Sequence, residues 1–340
     1  GNTAGTGGCA AVTSSSTASL VGLSATGCKA SSGNGGGGAV AVMGSARVVA
    51  QGGTVLDANE ATAGDGGALF VTGAGSWMST DASVSLRQNR ALHRGGGAYV
   101  ASSGTLVLTG SMVADNVAGR GGAFGVDSGG WLDVRDLSIT GHSTQVQPLD
   151  SLADGAGGTV WASGAVLNVT RVTVSDSSGA QGGCMWLDST AANMQDVTLG
   201  ACSASTVGGG VLASGASSVS LLRTSIVGGA AGTDGGCLYA TESTLVRVGV
   251  ATLFRCTANG RGGGGFLDAA SLEGSVANVS ECTAGTRGGG LFLQSGGTLD
   301  LESLTLVHNE AQTSGGGGIA ALTGSSVALV SSDVSSNLAA

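Results

Sequence analysis

Pairs of glycines recur through this chain every 25 to 36 residues, and no other feature narrows the choice of fold so sharply. They end at Gly8, Gly38, Gly67, Gly97, Gly122, Gly158, Gly183, Gly210, Gly236, Gly265, Gly290 and Gly318, which divides the 340 residues into twelve units averaging about 28. Each pair is followed by a short, mostly apolar run, such as ALFV after Gly67, AYVA after Gly97 and CLYA after Gly236. Self-similarity at such a period marks a repeat architecture, in which one unit cannot bury its own apolar side and must stack on the next.

A second landmark closes most units: an aliphatic residue with a small polar one three positions on. It reads Leu56/Asn59, Leu86/Asn89, Val113/Asn116, Ile139/His142, Val174/Ser177, Leu199/Cys202, Leu253/Cys256, Val279/Cys282, Leu306/Asn309 and Val334/Asn337. Between the landmarks run alternating, β-branched segments such as TLVLTG and VLNVTRVTV. Period-two runs broken by Gly, Ser, Asn and Asp read as strands, and helices have almost no support. Three short strands per unit, stacked unit on unit, give an all-β parallel β-helix of about twelve coils. At about 4.8 Å per coil it would be a rod on the order of 55–60 Å long. Turns that need positive φ or close backbone approach account for the 66 glycines. Collagen would need a three-residue period and much proline, and a disordered chain would not be 41% apolar. Asn59, Asn89 and Asn116 fall in successive coils, where amides in register can bond along the stack.

The two landmarks together, as in Gly66-Gly67-Ala68-Leu69 with Leu56-x-x-Asn59 and Gly121-Gly122-Ala123-Phe124 with Val113-x-x-Asn116, resemble the GGA[ILV] and FxxN repeats of the chlamydial polymorphic outer membrane proteins. Leu, Val or Ile stands here where that family has Phe, so the likeness is to the repeat class. The resemblance implies a right-handed β-helical passenger displayed on a surface and used in adhesion. It carries over no catalytic residue.

Six of the seven cysteines fall in two recurring slots, one just after a glycine pair and one in the Asn position of the same coil. Cys9 is followed by Cys28, Cys184 by Cys202 and Cys237 by Cys256, at separations of 18 or 19 residues. Three disulfides follow, each closing a loop worth roughly 3 kcal/mol in the chain-entropy model. They imply an oxidising, extracellular or cell-surface setting. The alternative is seven small buried thiols. Cys282 is left over, with Phe266 read opposite it. Two sequons, at Asn168 and Asn278, are compatible with secretion as a glycoprotein.

The third position after each glycine pair should face outward, yet it is mostly apolar: Ala41, Phe70, Val100, Gly125, Trp161, Trp186, Ala213, Tyr239, Asp268, Leu293, Ala321. Phe70, Trp161, Trp186 and Tyr239 are therefore candidate binding residues for sugar rings or a neighbouring chain, unless a loop covers them. The longest unit carries an insertion at residues 142–157 with the only proline, Pro148, a candidate surface recognition loop. Asp300 and Glu302 share a strand face, with Ser275 and Ala277 read beneath them, and Asp133 and Asp136 flank Arg135. A glycosidase needs two carboxylates across a cleft, and these read as solvated surface charges. Asp65, Arg94 and Arg120, then Asp234, Arg261 and Arg287, precede glycine pairs and read as a solvated charge ladder. His93, His142 and His308 lack metal-ligand spacing, and no phosphate loop or cofactor motif is present.

A net charge of −9, with a single lysine and scattered arginines, excludes a nucleic-acid footprint. No apolar run is long enough to span a bilayer, and the first residues lack the regions of a signal peptide, as in a mature product or an excised segment. These readings converge on one β-helical domain over 1–340, a segment of a longer chain and not an enzyme, that serves as a rigid extracellular rod. Its partners are other copies of itself in a filament or coat, surface or matrix proteins, or glycans. The rivals are a carbohydrate-active enzyme, either polysaccharide lyase or hydrolase, and a carbohydrate-binding module. Both ends carry unpaired strand edges that call for a cap or a neighbour.

Overall fold

The computed structural model describes residues 3–31, 33, 36–81, 83–145 and 155–340. The chain forms a parallel β-solenoid of about twelve turns, all-β among the described residues. Its contacts divide it into two compact units, Gly1–Thr173 and Val174–Ala340. Pro148 and most of the insertion at 142–157 lie outside the described residues.

Within the second unit one coil serves as the pattern. Leu238–Thr241 is followed by Leu245–Phe254 and then by Thr257–Ala258, giving strands of four, ten and two residues. Each pairs in parallel with its equivalent in the next coil: Leu238 lies beside Gly265, Leu245 beside Ser271 and Thr257 beside Thr283. The first unit repeats the scheme, with the long strand divided in two in its early coils, as in Thr105–Thr109 and Met112–Ala114. From Trp131–Thr140 to Thr298–Val307 it is continuous, and in the last coil it is divided again into Ser326–Leu329 and Asp333–Ser335.

Alternation places one side of each long strand between the end coils in the core. In the long strand Thr298–Val307 the buried residues are Leu299 and Leu301, then Leu304 and Leu306. The step of three between Leu301 and Leu304 is a bend, where Glu302 has no partner in the pairing with the coil before it. Each such fully buried leucine contributes about 2 kcal/mol of transfer free energy.

Several turns that shape the coil use the left-handed region: one between the short and the long strand, as at Ser102, Ser189 and Ala269, and three more. One lies at the bend, occupied by Asp136 and Arg171 in the first unit and by Asp196 and Arg223 in the second. Another lies just before the Asn slot and is taken by Ala58, Gln88 and Asp115, or by Ala201, Arg255 and Glu281. The third is the glycine pair itself. Gly66 has φ +73°, and a Cβ there would collide with the carbonyl oxygen of Leu69. Other residues enter the first two turns at some cost, but this one admits only glycine.

The Asn slot forms a buried ladder. Asn89 Nδ2 donates to the Leu56 carbonyl (2.8 Å) and to Asn116 Oδ1 (3.0 Å), while Asn89 Oδ1 accepts from the Asn59 backbone N–H (2.9 Å) and Asn59 Nδ2 (3.1 Å). The pattern recurs in the second unit, where Asn309 Nδ2 donates to the Val279 carbonyl (2.9 Å) and to Asn337 Oδ1 (3.0 Å). His142 takes the same slot, and its Nδ1 accepts the Asn116 backbone N–H at 3.1 Å. Burial depresses the His142 pKa from 6.5 to about 4. Because the unfolded chain takes up this proton first, the stability tied to neutral His142 is complete above about pH 6.5 and declines as pH falls toward 4. The loss reaches about 3 kcal/mol. His142→Asn should restore an amide and remove this part of the acid sensitivity. Parallel urea titrations of the two proteins between neutral and acidic pH would measure it, and an unchanged pH slope would refute it.

Candidate functional site

The post-glycine slot and the Asn slot face each other across the core of a coil. Their contents match in size: a hypothetical Cβ at Gly97 would lie 3.4 Å from Asn116 Nδ2, and one at Gly290 would lie 3.3 Å from Asn309 Cγ. Glycine or alanine on one side leaves room for an amide on the other. Where both slots hold cysteine they are bridged: Cys9–Cys28, Cys184–Cys202 and Cys237–Cys256, with Cα–Cα distances of 5.6, 5.3 and 5.4 Å.

Cys282 is a free, buried thiol, and Gly264 rather than Phe266 stands opposite it. Its Sγ lies 3.3 Å from the Ser280 carbonyl and 3.6 Å from the Leu253 carbonyl, and burial pushes its pKa up to about 12. The thiolate is the reactive species. In the native, unreduced protein, iodoacetamide is therefore expected to label no cysteine, and after unfolding only Cys282. Peptide mapping would read both, and labelling of Cys237 would overturn the pairing.

The outward stripe differs from the sequence reading in phase and in exposure. The left-handed glycine, not the last glycine of a run, sets the count: Gly95, Gly208, Gly262, Gly288 and Gly316 all have φ between +66° and +73°. The outward residue stands four positions after it. Runs of three or four glycines therefore displace the reading from Val100, Ala213, Asp268, Leu293 and Ala321 to Tyr99, Leu212, Phe266, Phe292 and Ala320. Strand register agrees. Phe70 lies beside Tyr99, and Tyr239 beside Phe266, which lies beside Phe292. Their rings stack at 5.7, 4.8 and 5.2 Å.

These rings are not an open platform. Phe70 and Trp161 are only 6% and 5% exposed, and Trp186 and Tyr239 are half-buried. The chain's own turn folds back over them, so that a Cβ at Gly235 would sit 2.9 Å from Tyr239 Cβ. Arginines complete the cover. The Arg94 guanidinium lies 4.5 Å from the Tyr99 ring centre, Arg120 lies 5.3 Å from Trp161, and Arg261 lies 4.8 Å from Phe266.

The charges before the glycine pairs are correspondingly not a simple solvated ladder. Arg94 Nε and Nη2 donate to the Asp65 carboxylate, both at 2.9 Å, and Nη1 donates to Asp127, which also accepts the Tyr99 hydroxyl at 2.6 Å. Burial opposes the Arg94 charge, but the bonds to Asp65 outweigh it and keep the pKa above the ordinary arginine value. In the second unit Arg261 bonds Asp234 (Nη2–Oδ2 2.8 Å) and Gln294 (2.8 Å). Each arginine thus clasps three coils. Sequence reading grouped these residues but missed Asp127 and Gln294, whose signal was their place one strand beyond the aromatic.

The carboxylates divide into two groups. Asp133 is paired with Arg135 (Nε–Oδ1 2.8 Å), and the Arg171 side chain bonds Asp136 (Nη2–Oδ2 2.9 Å) and holds its carboxyl below the ordinary range. Asp300 and Glu302 instead line a groove of about 510 Å³ on the outer side of the long strands, with Arg247 and Glu273. The residue beneath Asp300 is Glu273, and Ser275 stands at the bend beneath Glu302. The strands pair 27 residues apart, against 25 between Gly265 and Gly290, and this difference adds a third carboxylate that the sequence reading did not place there. Among the described residues no group of three or more His, Cys, Asp or Glu side chains is arranged to hold a metal ion.

Asn168 and Asn278 stand within the strands Val166–Ser175 and Ser271–Ser280, half-buried, whereas a sequon acceptor ordinarily sits in a surface loop. Asn278 lies in register between Thr252 and Thr305. No protein family, curated protein or solved structure matches the chain, so its likeness to the GGA[ILV] and FxxN repeats rests on the motif residues alone.

Proposed function

We propose that this chain acts outside the cell as a structural and adhesive surface protein and performs no chemistry of its own. The observation that carries the reading is the set of three bridges, each closing a coil of a solenoid that already has a packed core. Such bridges persist in oxidising compartments and are rare in the cytosol. The repeat resemblance points the same way. Charged groups are spent on neighbouring coils, as in Asp65–Arg94–Asp127, which suits a rigid wall. Protease treatment of intact cells tests the location: the chain should be cleaved while a cytosolic marker survives, and full protection would end the proposal. Electron microscopy of the purified chain tests assembly into a filament or coat.

A carbohydrate-active enzyme is the second reading, favoured by the groove with Glu273, Asp300 and Glu302. Turnover of a uronic-acid polymer that disappears in Asp300→Asn would replace the structural reading with it.

A further inference from the structure

Within the unit Val174–Ala340 the bend of the long strands changes character along the stack. At Asp196 and Arg223 it is closed by a two-point ion pair, with Nη2–Oδ2 at 2.9 Å. The bend position then continues as Gly249, Ser275 and Glu302, and there the groove opens. Gly274 has φ +138°, and a Cβ on it would strike the Val248 carbonyl, so the floor consists of backbone.

One side of the groove is ionic. Arg247, Glu273 and Asp300 share a register position on neighbouring strands, and Arg247 Nε meets Glu273 at 3.2 Å. Asp300 and Glu302 have no cationic partner among the described residues, which leaves the groove net negative. Leu222 also lines the groove, and from it an apolar row runs along the groove's margin: Leu222, Val250 and Val276 lie in register on three successive strands and are 36%, 43% and 41% exposed. Val330 lines the same groove and is 78% exposed. Single exposed apolar residues are ordinary, but a contiguous row beside a groove marks an interaction surface.

We infer that this groove docks an extended basic segment of a partner protein, whose lysine or arginine side chains meet Asp300 and Glu302 and whose aliphatic side chains lie on Leu222, Val250 and Val276. Charge complementarity selects this occupant. A second copy of the chain, with net charge −9 and one lysine, brings the same sign of field. The inference gives the adhesive reading a partner chemistry and rests on it only for the compartment in which partner and groove meet.

The test uses the full chain and a fluorescein-labelled alternating valine–lysine octapeptide, with the valine–glutamate octapeptide as its mirror, in anisotropy titrations at physiological salt. The lysine peptide should bind and the glutamate peptide should not. Asp300→Asn combined with Glu302→Gln should weaken binding roughly tenfold, as expected for two exposed ion pairs. Val276→Ser should also weaken it, whereas Asp176→Asn, an exposed acid in another turn, should leave it unchanged. All these positions are surface-exposed or half-exposed, and an unchanged thermal midpoint would confirm that the variants fold. Absence of binding, equal binding of both peptides, or equal loss in Asp176→Asn would overturn the inference. So would a dimer in sedimentation velocity that Val276→Ser dissolves, which would assign the groove to a second copy. The titration is independent of cellular location, so its failure and that of the extracellular reading are distinguishable.

Discussion

Gly183→Ala should be among the most damaging single-methyl substitutions in the chain, costing more than about 4 kcal/mol and lowering the thermal midpoint accordingly. Gly183 does not have positive φ, so the penalty is not backbone strain. A Cβ there would overlap the Gly209 carbonyl oxygen and lie 2.6 Å from the Ser203 backbone nitrogen. Both obstacles are main-chain atoms held in the parallel ladder, and neither can rotate away as a side chain would. Gly200→Ala is the control. Its Cβ would meet nothing closer than the Val174 carbonyl at 3.8 Å, and Gly200 closes a long strand. That variant should be neutral or stabilising by up to about 1 kcal/mol, through reduced freedom of the unfolded chain. Similar midpoints for the two variants would refute the account of close backbone approach.

Asn89→Ala should cost about 3–5 kcal/mol. The side chain makes four hydrogen bonds in a site 1% exposed to solvent, and truncation strands the Leu56 carbonyl and the Asn59 N–H where water does not reach. Each buried group left unsatisfied costs about 1–3 kcal/mol, well above the net worth of a bond exchanged with water. Hydrogen exchange gives a local readout: the Asn59 amide, whose acceptor is Asn89 Oδ1, should lose protection more than strand amides of the same coil. Uniform loss across the coil would instead point to general loosening.

The fold was legible because the repeat carries two independent phase marks. Glycine pairs and the aliphatic-x-x-Asn formula together locate both core slots of each coil, and that was enough to pair Cys9 with Cys28, Cys184 with Cys202 and Cys237 with Cys256. Register failed where one mark became ambiguous. In Gly262–Gly265 any glycine could hold the left-handed turn, and only Gly262 does, so Phe266 rather than Asp268 belongs to the aromatic stack. Glu273 escaped notice for a related reason. The last glycines of the two runs, Gly265 and Gly290, are 25 apart, whereas the long strands pair at a spacing of 27, so a count carried from the glycines sets Ser275 rather than Glu273 beside Asp300. Burial of the aromatics was invisible for another reason: strand parity gives the side a residue faces, not what lies above it. The cover over Tyr99 is its own coil's turn and Arg94, which strand parity does not reveal.

The matching of the two core slots bears on how such a chain can change over time. Because a cysteine finds its partner within its own coil, gain or loss of a bridge asks nothing of adjacent coils. Asn309 illustrates the tolerance: its Oδ1 serves the backbone N–H of Cys282 at 3.0 Å, the same bond an asparagine in that place would receive. Whole coils of either kind can therefore be duplicated, deleted or exchanged by recombination with little repair at the joints, and the length of the protein can evolve in steps of one period.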